Sequence, residues 1–125
     1  MKRLAILGST GSIGSNALDI VRSHPGRFEV ISLAAGRKIE TLLKQMREFC
    51  PRLVSVADQE SAARLASEWA DEGEVEILWG SEGLERVATA EGIDLVIEAL
   101  AGSVGLIPSL RAIEAGRNVA WPTKR

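Results

Sequence analysis

Two short runs of small and basic residues carry the chemistry in this sequence. The first is Gly8-Ser9-Thr10-Gly11-Ser12-Ile13-Gly14, which follows the apolar stretch Leu4-Ala5-Ile6-Leu7 and leads into Ser15-Asn16-Ala17-Leu18-Asp19-Ile20-Val21. A pyrophosphate presents negative charge and acceptor oxygens. The first turn of a helix presents unpaired backbone N–H groups and the positive end of the macrodipole. The backbone can approach such a ligand only where no Cβ intervenes. Gly11 is therefore read as the point of approach, and Gly14 as the point where the helix packs on the sheet. Ser9 stands where the commoner G-x-G-x-x-G has its first glycine, and Gly8 precedes it. The spacing is thus G-x-x-G-x-x-G, a variant of the dinucleotide-binding fingerprint. A strand-to-helix turn without a ligand would use the same glycines, but the position after a first strand favours the ligand.

The second run is Gly36-Arg37-Lys38, at the end of the strand-like stretch Phe28–Ala35. An NAD-type unit places an Asp or Glu near this point to bind the ribose 2′-hydroxyl. Here a glycine and two cations stand instead. A 2′-phosphate would be repelled by a carboxylate and accepted by Arg as a bidentate partner, so the residues favour NADP(H) over NAD(H). The remaining chemically capable side chains carry less. His24 reads as a dipole partner at a helix end or a solvated residue, and Cys50 as a small packed residue at the end of the next helix. Asp94 and Glu98 share one side of a strand but lie about 13 Å apart along it. That is too far for a catalytic pair, so Asp94 is read as an entry residue and Glu98 has no assigned role.

These runs need elements to hold them. Ile13, Ala17, Ile20 and Val21 give the first helix an apolar face, closed by His24-Pro25-Gly26. Ile39, Leu42, Leu43 and Met46 give a second helix, stopped near Cys50-Pro51. Leu53–Val56 reads as a strand. Ala62, Leu65, Ala66 and Trp69 mark a third helix, with Asp58 or Ser61 as its cap. Val75–Trp79 is a strand, Leu84, Val87 and Ala88 mark a short helix, and Ile93–Leu100 is a strand apolar enough for burial on both faces. A second glycine turn, Ala101–Gly105, opens a helix running from near Pro108 to Gly116. Asn118–Trp121 is the last strand. Such alternation specifies an α/β fold, a doubly wound parallel sheet of the Rossmann-like NAD(P)-binding type. Ligands of these sheets sit outside the strand C-termini, and both runs fall on that edge with Gly102-Ser103 and Pro122-Thr123-Lys124.

Composition excludes several other classes. The chain has 125 residues, the size of one domain, with 46% apolar and 26% charged residues. A net charge of −2 and 4% aromatics give no basic field and little base-stacking surface, so nucleic acid is not an expected partner. One cysteine precludes an internal disulfide and suggests a reducing compartment. One histidine with one cysteine cannot make a His/Cys metal site. With no membrane-length apolar run and no signal-peptide pattern, a cytoplasmic location is expected.

The run Gly8–Gly14 resembles the GSTGSIG signature of 1-deoxy-D-xylulose 5-phosphate reductoisomerases. The resemblance continues through Ala35-Gly36-Arg37, Ala99–Leu110 and Ala112–Arg117, and so covers essentially the whole chain. It implies an enzyme that rearranges 1-deoxy-D-xylulose 5-phosphate and reduces the product with NADPH to 2-C-methyl-D-erythritol 4-phosphate, an isoprenoid precursor. It also implies Mg²⁺ or Mn²⁺, whose acidic ligands in the family lie beyond Arg125. By the resemblance, NADPH contacts fall on Thr10, Gly11, Ser12, Ile13, Gly36, Arg37 and Lys38. The family usually ends this segment alanine-asparagine-lysine-glutamate, whereas here it reads Pro122-Thr123-Lys124-Arg125. Lys124 keeps the substrate-contacting lysine, while Thr123 and Arg125 replace two cofactor neighbours. Family chains are roughly three times this long. The expectation is therefore an NADPH-binding domain over 1–125, without the catalytic and C-terminal domains and inactive alone, with a sheet edge open to pairing in a homodimer. Two alternatives are a stand-alone NADP-binding module and a fragment of another NADP-dependent dehydrogenase, such as the aspartate-semialdehyde type.

Overall fold

A computed structural model describes residues 1–70 and 72–100, together with the backbone of 118–120. In chain order the elements are β1 (Lys2–Leu7), α1 (Ser12–Ser23), β2 (Phe28–Ala34), α2 (Ile39–Phe49), β3 (Leu53–Val56), α3 (Gln59–Trp69), β4 (Glu76–Trp79), α4 (Gly80–Thr89), β5 (Leu95–Glu98) and β6 (Asn118–Ala120). The strands form one sheet in the order β4-β3-β2-β1-β5-β6. All five pairings are parallel. This is the α/β doubly wound architecture expected from the alternation of strand and helix patterns. The chain builds outward from β1 to β4, then returns to place β5 on the other side of β1. The order therefore reverses between β1 and β5, where such sheets open a crevice at their C-terminal edge. No helix among the described residues is long and apolar enough to cross a membrane.

Strand alternation divides the core between the two faces. Leu4 and Ile6 of β1 pack with Leu18 and Val21 of α1, Leu42 and Met46 of α2 and Leu65 and Trp69 of α3. Ala5 and Leu7 point the other way, to Val87 and Ala88 of α4 and Val96 of β5.

Four expectations change in detail. The buried face of α1 is Gly14, Leu18 and Val21, while Ile13 and Ile20 are 43% and 55% exposed. A Cβ on Gly14 would lie 2.1 Å from the Gly8 carbonyl oxygen, so at this residue the helix presses directly on the backbone of the glycine loop. Positions 14, 18 and 21 then face inward, and 13 and 20 rotate away. Ala66 is exposed, and α3 buries Ala62, Leu65 and Trp69. Cys50 is also exposed, not packed: it caps α2 in the left-handed conformation (φ 50°), ending the helix ahead of Pro51. Finally, β5 is four residues long instead of eight. Asp94 precedes it, exchanging contacts with Arg3: its N–H donates to the Arg3 carbonyl at 2.8 Å, and its carboxylate accepts from the Arg3 N–H at 2.9 Å. Beyond it, the buried Glu98 accepts from the Leu100 N–H at 2.8 Å and turns the chain. The second glycine turn, the helix expected to run to Gly116, and Trp121–Arg125 lie outside the described residues.

Candidate functional site

The site is built from loops at the C-terminal ends of β1, β2, β3 and β5. After β1 the chain turns at Gly8 (φ +89°), in the region that glycine enters without strain. A Cβ there would also lie 2.9 Å from the Ala99 carbonyl, so this glycine lets the loops after β1 and β5 meet at the reversal of strand order. The N–H groups of Gly8 and Ser9 both donate to the Ala34 carbonyl, at 2.8 and 3.0 Å. Ala34 ends β2, so the glycine loop is tied directly beside Gly36-Arg37-Lys38.

From Gly11 the chain enters α1. Gly11 is the N-cap in extended conformation (φ −81°, ψ 177°), with no side chain capping the helix and no acid in its first turn. The positive end of the helix is thus left open to an anion. Thr10 is half-buried, and Gly11, Ser12 and Ile13 are exposed around this opening. The glycines here serve two different purposes. Gly14 is demanded by the protein's own packing. Gly11 is not, because a Cβ there would meet only the Gly8 carbonyl oxygen at an ordinary 3.6 Å. Gly36 likewise would meet nothing within 4 Å. Both of the latter leave bare backbone facing outward, the cradle that a close-approaching ligand requires.

Gly36, Arg37 and Lys38 are exposed. The Arg37 Nε donates to the Asp58 carboxylate at 3.3 Å, leaving the guanidinium's Nη groups available for a forked contact. Asp58 follows β3 and caps α3, its other oxygen accepting from the Ser61 N–H at 2.8 Å. The Ser61 backbone N–H, then the Ser61 hydroxyl, and after them Arg37 hold this carboxyl below its ordinary range. Sequence patterning anticipates the cap and misses the ion pair.

Sequence patterning misses Gln45 as well. It is 6% exposed on the core side of α2, and its Nε2 donates to the Ser9 carbonyl at 2.9 Å. The signal was available: position 45 lies within the apolar face made by Leu42 and Met46, where a polar side chain needs a partner. Beneath the loop, the Ser9 hydroxyl and the Gln45 amide oxygen are buried without partners.

Of the residues read as cofactor contacts, the structure brings Thr10–Ile13 and Gly36–Lys38 to one edge. Thr123, Lys124 and Arg125 lie outside the described residues. His24 sits away from this edge, at the C-cap of α1, with Nδ1 2.9 Å from the Ile20 carbonyl oxygen. A cavity of about 490 Å³ lined by Leu78–Gly83 lies at the β4 margin, separated from β1 by β2 and β3. Among the described residues no group of three or more His, Cys, Asp or Glu side chains could hold a metal ion.

A sequence model of the 1-deoxy-D-xylulose 5-phosphate reductoisomerases matches residues 4–124. The reductoisomerase of Chlorobaculum tepidum is 52% identical over 124 residues, covering 99% of this chain and 32% of that protein. That of Symbiobacterium thermophilum is 51% identical over 126 residues, covering 98% and 33%. Among solved structures, a reductoisomerase in complex with NADPH, fosmidomycin and magnesium superposes with a TM-score of 0.90 at 37% identity, covering 95% of this chain and 29% of that one. The Zymomonas mobilis enzyme in complex with NADPH gives 0.88 at 30% identity, covering 98% and 32%. The chain thus spans about a third of the length of the relatives it matches.

Proposed function

The chain belongs to the 1-deoxy-D-xylulose 5-phosphate reductoisomerase family, and we propose that residues 1–125 form its NADPH-binding domain. The observation that carries this reading is the pair of outward-facing glycines, Gly11 and Gly36. Their missing side chains are unexplained by packing, and they flank an uncapped helix N-terminus and a free guanidinium fork. In this reading the pyrophosphate lies over Thr10, Gly11, Ser12 and Ile13, where backbone N–H groups and the helix dipole meet it. Gly36 admits the adenosine ribose, and Arg37 and Lys38 take its 2′-phosphate. A 2′-phosphate carries about two negative charges, which the Nη groups of Arg37 and the Lys38 ammonium would meet. Thr123 and Arg125 would border the cofactor, and Lys124 would reach the substrate.

NADPH supplies the hydride for reducing the rearranged sugar phosphate. The protein's part in this domain is to bind the cofactor, orient it along the crevice between β1 and β5, and select it over NADH. The divalent cation of the family finds no ligand set among the described residues. The enzyme would work in the cytoplasm on 1-deoxy-D-xylulose 5-phosphate, with this domain supplying the cofactor.

The test is a fluorescence titration with NADPH and NADH, read through Trp69, Trp79 and Trp121. NADPH is expected to bind more tightly. Arg37→Ala with Lys38→Ala should lower that preference roughly 10- to 100-fold, the equivalent of one or two charge-assisted contacts. Equal affinity for the two nucleotides, or no loss in the double variant, would overturn the assignment. Metal-dependent turnover by this chain alone would overturn the restriction to binding.

A further inference from the structure

Gln45 lies outside the cofactor contacts proposed above, yet its one hydrogen bond acts on them. Its amide Nε2 reaches 36 residues back along the chain to the Ser9 carbonyl, at 2.9 Å, from a position only 6% exposed. The carbonyl can only accept, so the nitrogen must be the atom that faces it. The Ser9 carbonyl shares a peptide plane with the Thr10 N–H. That peptide is trans, as are all those described, so its C=O and N–H point to opposite sides. Drawing the oxygen inward toward α2 therefore turns the Thr10 N–H outward. Among the described residues no backbone carbonyl accepts from it. Its neighbours are fixed differently: the Ser9 N–H is spent on Ala34, and the Gly11 N–H on the Gly8 carbonyl at 3.2 Å. Within the loop, Thr10 thus carries the one N–H that the backbone leaves open.

We propose that Gln45 is a positioning residue for anion recognition: it holds the Ser9–Thr10 peptide so that the Thr10 N–H is aimed at the pyrophosphate of the bound nucleotide. This deepens the NADPH reading and rests on it. Because α2 starts directly after Gly36-Arg37-Lys38, the same helix supports both phosphate contacts. Only the pyrophosphate contact passes through the Gln45 amide.

The two contacts separate in experiment. The ¹⁵N-labelled chain is titrated with inorganic pyrophosphate, and the Thr10 amide resonance is expected to shift. In Gln45→Met, which keeps the side chain's length and removes its donor, that shift should be lost. NADPH and NADH should both bind about 10-fold more weakly, the worth of one hydrogen bond to a charged group. Their affinity ratio should be unchanged, because Arg37 and Lys38 are untouched. A Thr10 amide silent to pyrophosphate in the parent chain overturns the proposal, whether or not the variant folds. So does a variant that binds pyrophosphate as well as the parent, or one whose NADPH:NADH ratio collapses, which would mark Gln45 as a general support of α2. A parent chain whose Thr10 amide answers pyrophosphate but which shows no preference for NADPH would instead defeat the cofactor assignment and leave the positioning role standing.

Discussion

Replacing Gly14 with alanine should damage the fold, whereas the same change at Gly11 should damage only binding. At Gly14 the new Cβ would sit 2.1 Å from the Gly8 carbonyl oxygen and 2.7 Å from the Ser9 Cα. Carbon–oxygen contacts settle at roughly 3.3 Å or more, so a gap of about 1 Å must open. The obstructing atoms are backbone, and the Gly8 carbonyl is fixed by the Gly11 N–H, so no rotamer change relieves the clash. The N-terminus of α1 must lift as a body, and Leu18 and Val21, now 1% and 8% exposed, lose contact with β1. Overpacking at the upper end of its usual range puts the loss at about 3 kcal/mol, or roughly 10 °C in Tm for a domain of this size. Gly11→Ala meets only the 3.6 Å contact, in a backbone conformation open to alanine. Its stability cost should stay within about 1 kcal/mol, the difference between glycine and alanine as N-cap. Its methyl group would stand where the pyrophosphate must come, so NADPH affinity should fall at least tenfold. Thermal unfolding by circular dichroism and an NADPH titration measure the two effects. A Gly14→Ala chain melting within about 2 °C of the parent would refute the packing argument. A Gly11→Ala chain that binds NADPH normally would refute the division of labour between the glycines.

Other tests address the scaffold. A Cβ on Gly83 would lie 2.2 Å from the Ser55 hydroxyl, which is buried without a partner. Ser55→Ala should therefore be neutral or stabilising in urea denaturation, and should reduce the cost of Gly83→Ala in a double-mutant cycle. The Ser32 hydroxyl donates to the Val87 carbonyl at 2.7 Å in the last turn of α4, so Ser32→Ala should cost about 1–2 kcal/mol in the same assay. Arg22 holds Glu48 below its ordinary pKa, Arg47 does the same for Glu72, and the Ser61 N–H does so for Asp58. Because each pKa is lower in the folded chain, its contribution is complete above the unfolded value near pH 4 and disappears as pH falls through the folded value. Urea midpoints should drop below about pH 4.5, and 1 M salt should flatten the ion-pair share of that drop.

Much of the scaffold could be read directly from residue types. β2, α2 and β3 lie within a residue of their expected bounds because the apolar period and the breakers agree there: Ile39, Leu42, Leu43 and Met46 are all buried, and Pro51 follows the end of α2. The edge carrying the site was legible for the same reason, since glycine and Arg-Lys runs at strand ends must share one side of a parallel sheet. The buried face of α1 was not legible. Periodicity weighs Ile13 and Ile20 by hydrophobicity, whereas the helix is oriented by the residue that lacks a side chain. Cys50 misled because it is the left-handed C-cap of α2, an exposed position at the helix end where its tendency to bury finds no packing. The Arg37–Asp58 contact spans 21 residues, across α2 and β3, and no local pattern encodes it.

Gln45 shows what kind of information is lost when a sequence is read for hydrophobic pattern alone. A glutamine on the core side of a helix looks like a flaw in the pattern. Its partner explains why the flaw is tolerated. A glycine-rich loop gains close approach to a ligand by giving up side chains, and so gives up the contacts that would otherwise hold its peptides in one orientation. The Gly8 and Ser9 N–H groups are held by the Ala34 carbonyl and the Gly11 N–H by the Gly8 carbonyl, but among the described residues no backbone N–H holds the Ser9 carbonyl. Something outside the loop must hold that carbonyl. A side chain from α2 does so from a buried position and leaves the surface at Gly11–Ile13 exposed. A buried polar residue that bonds the backbone of a distant glycine loop is therefore a sign that the orientation of a peptide, and not the identity of a side chain, is what recognises the ligand.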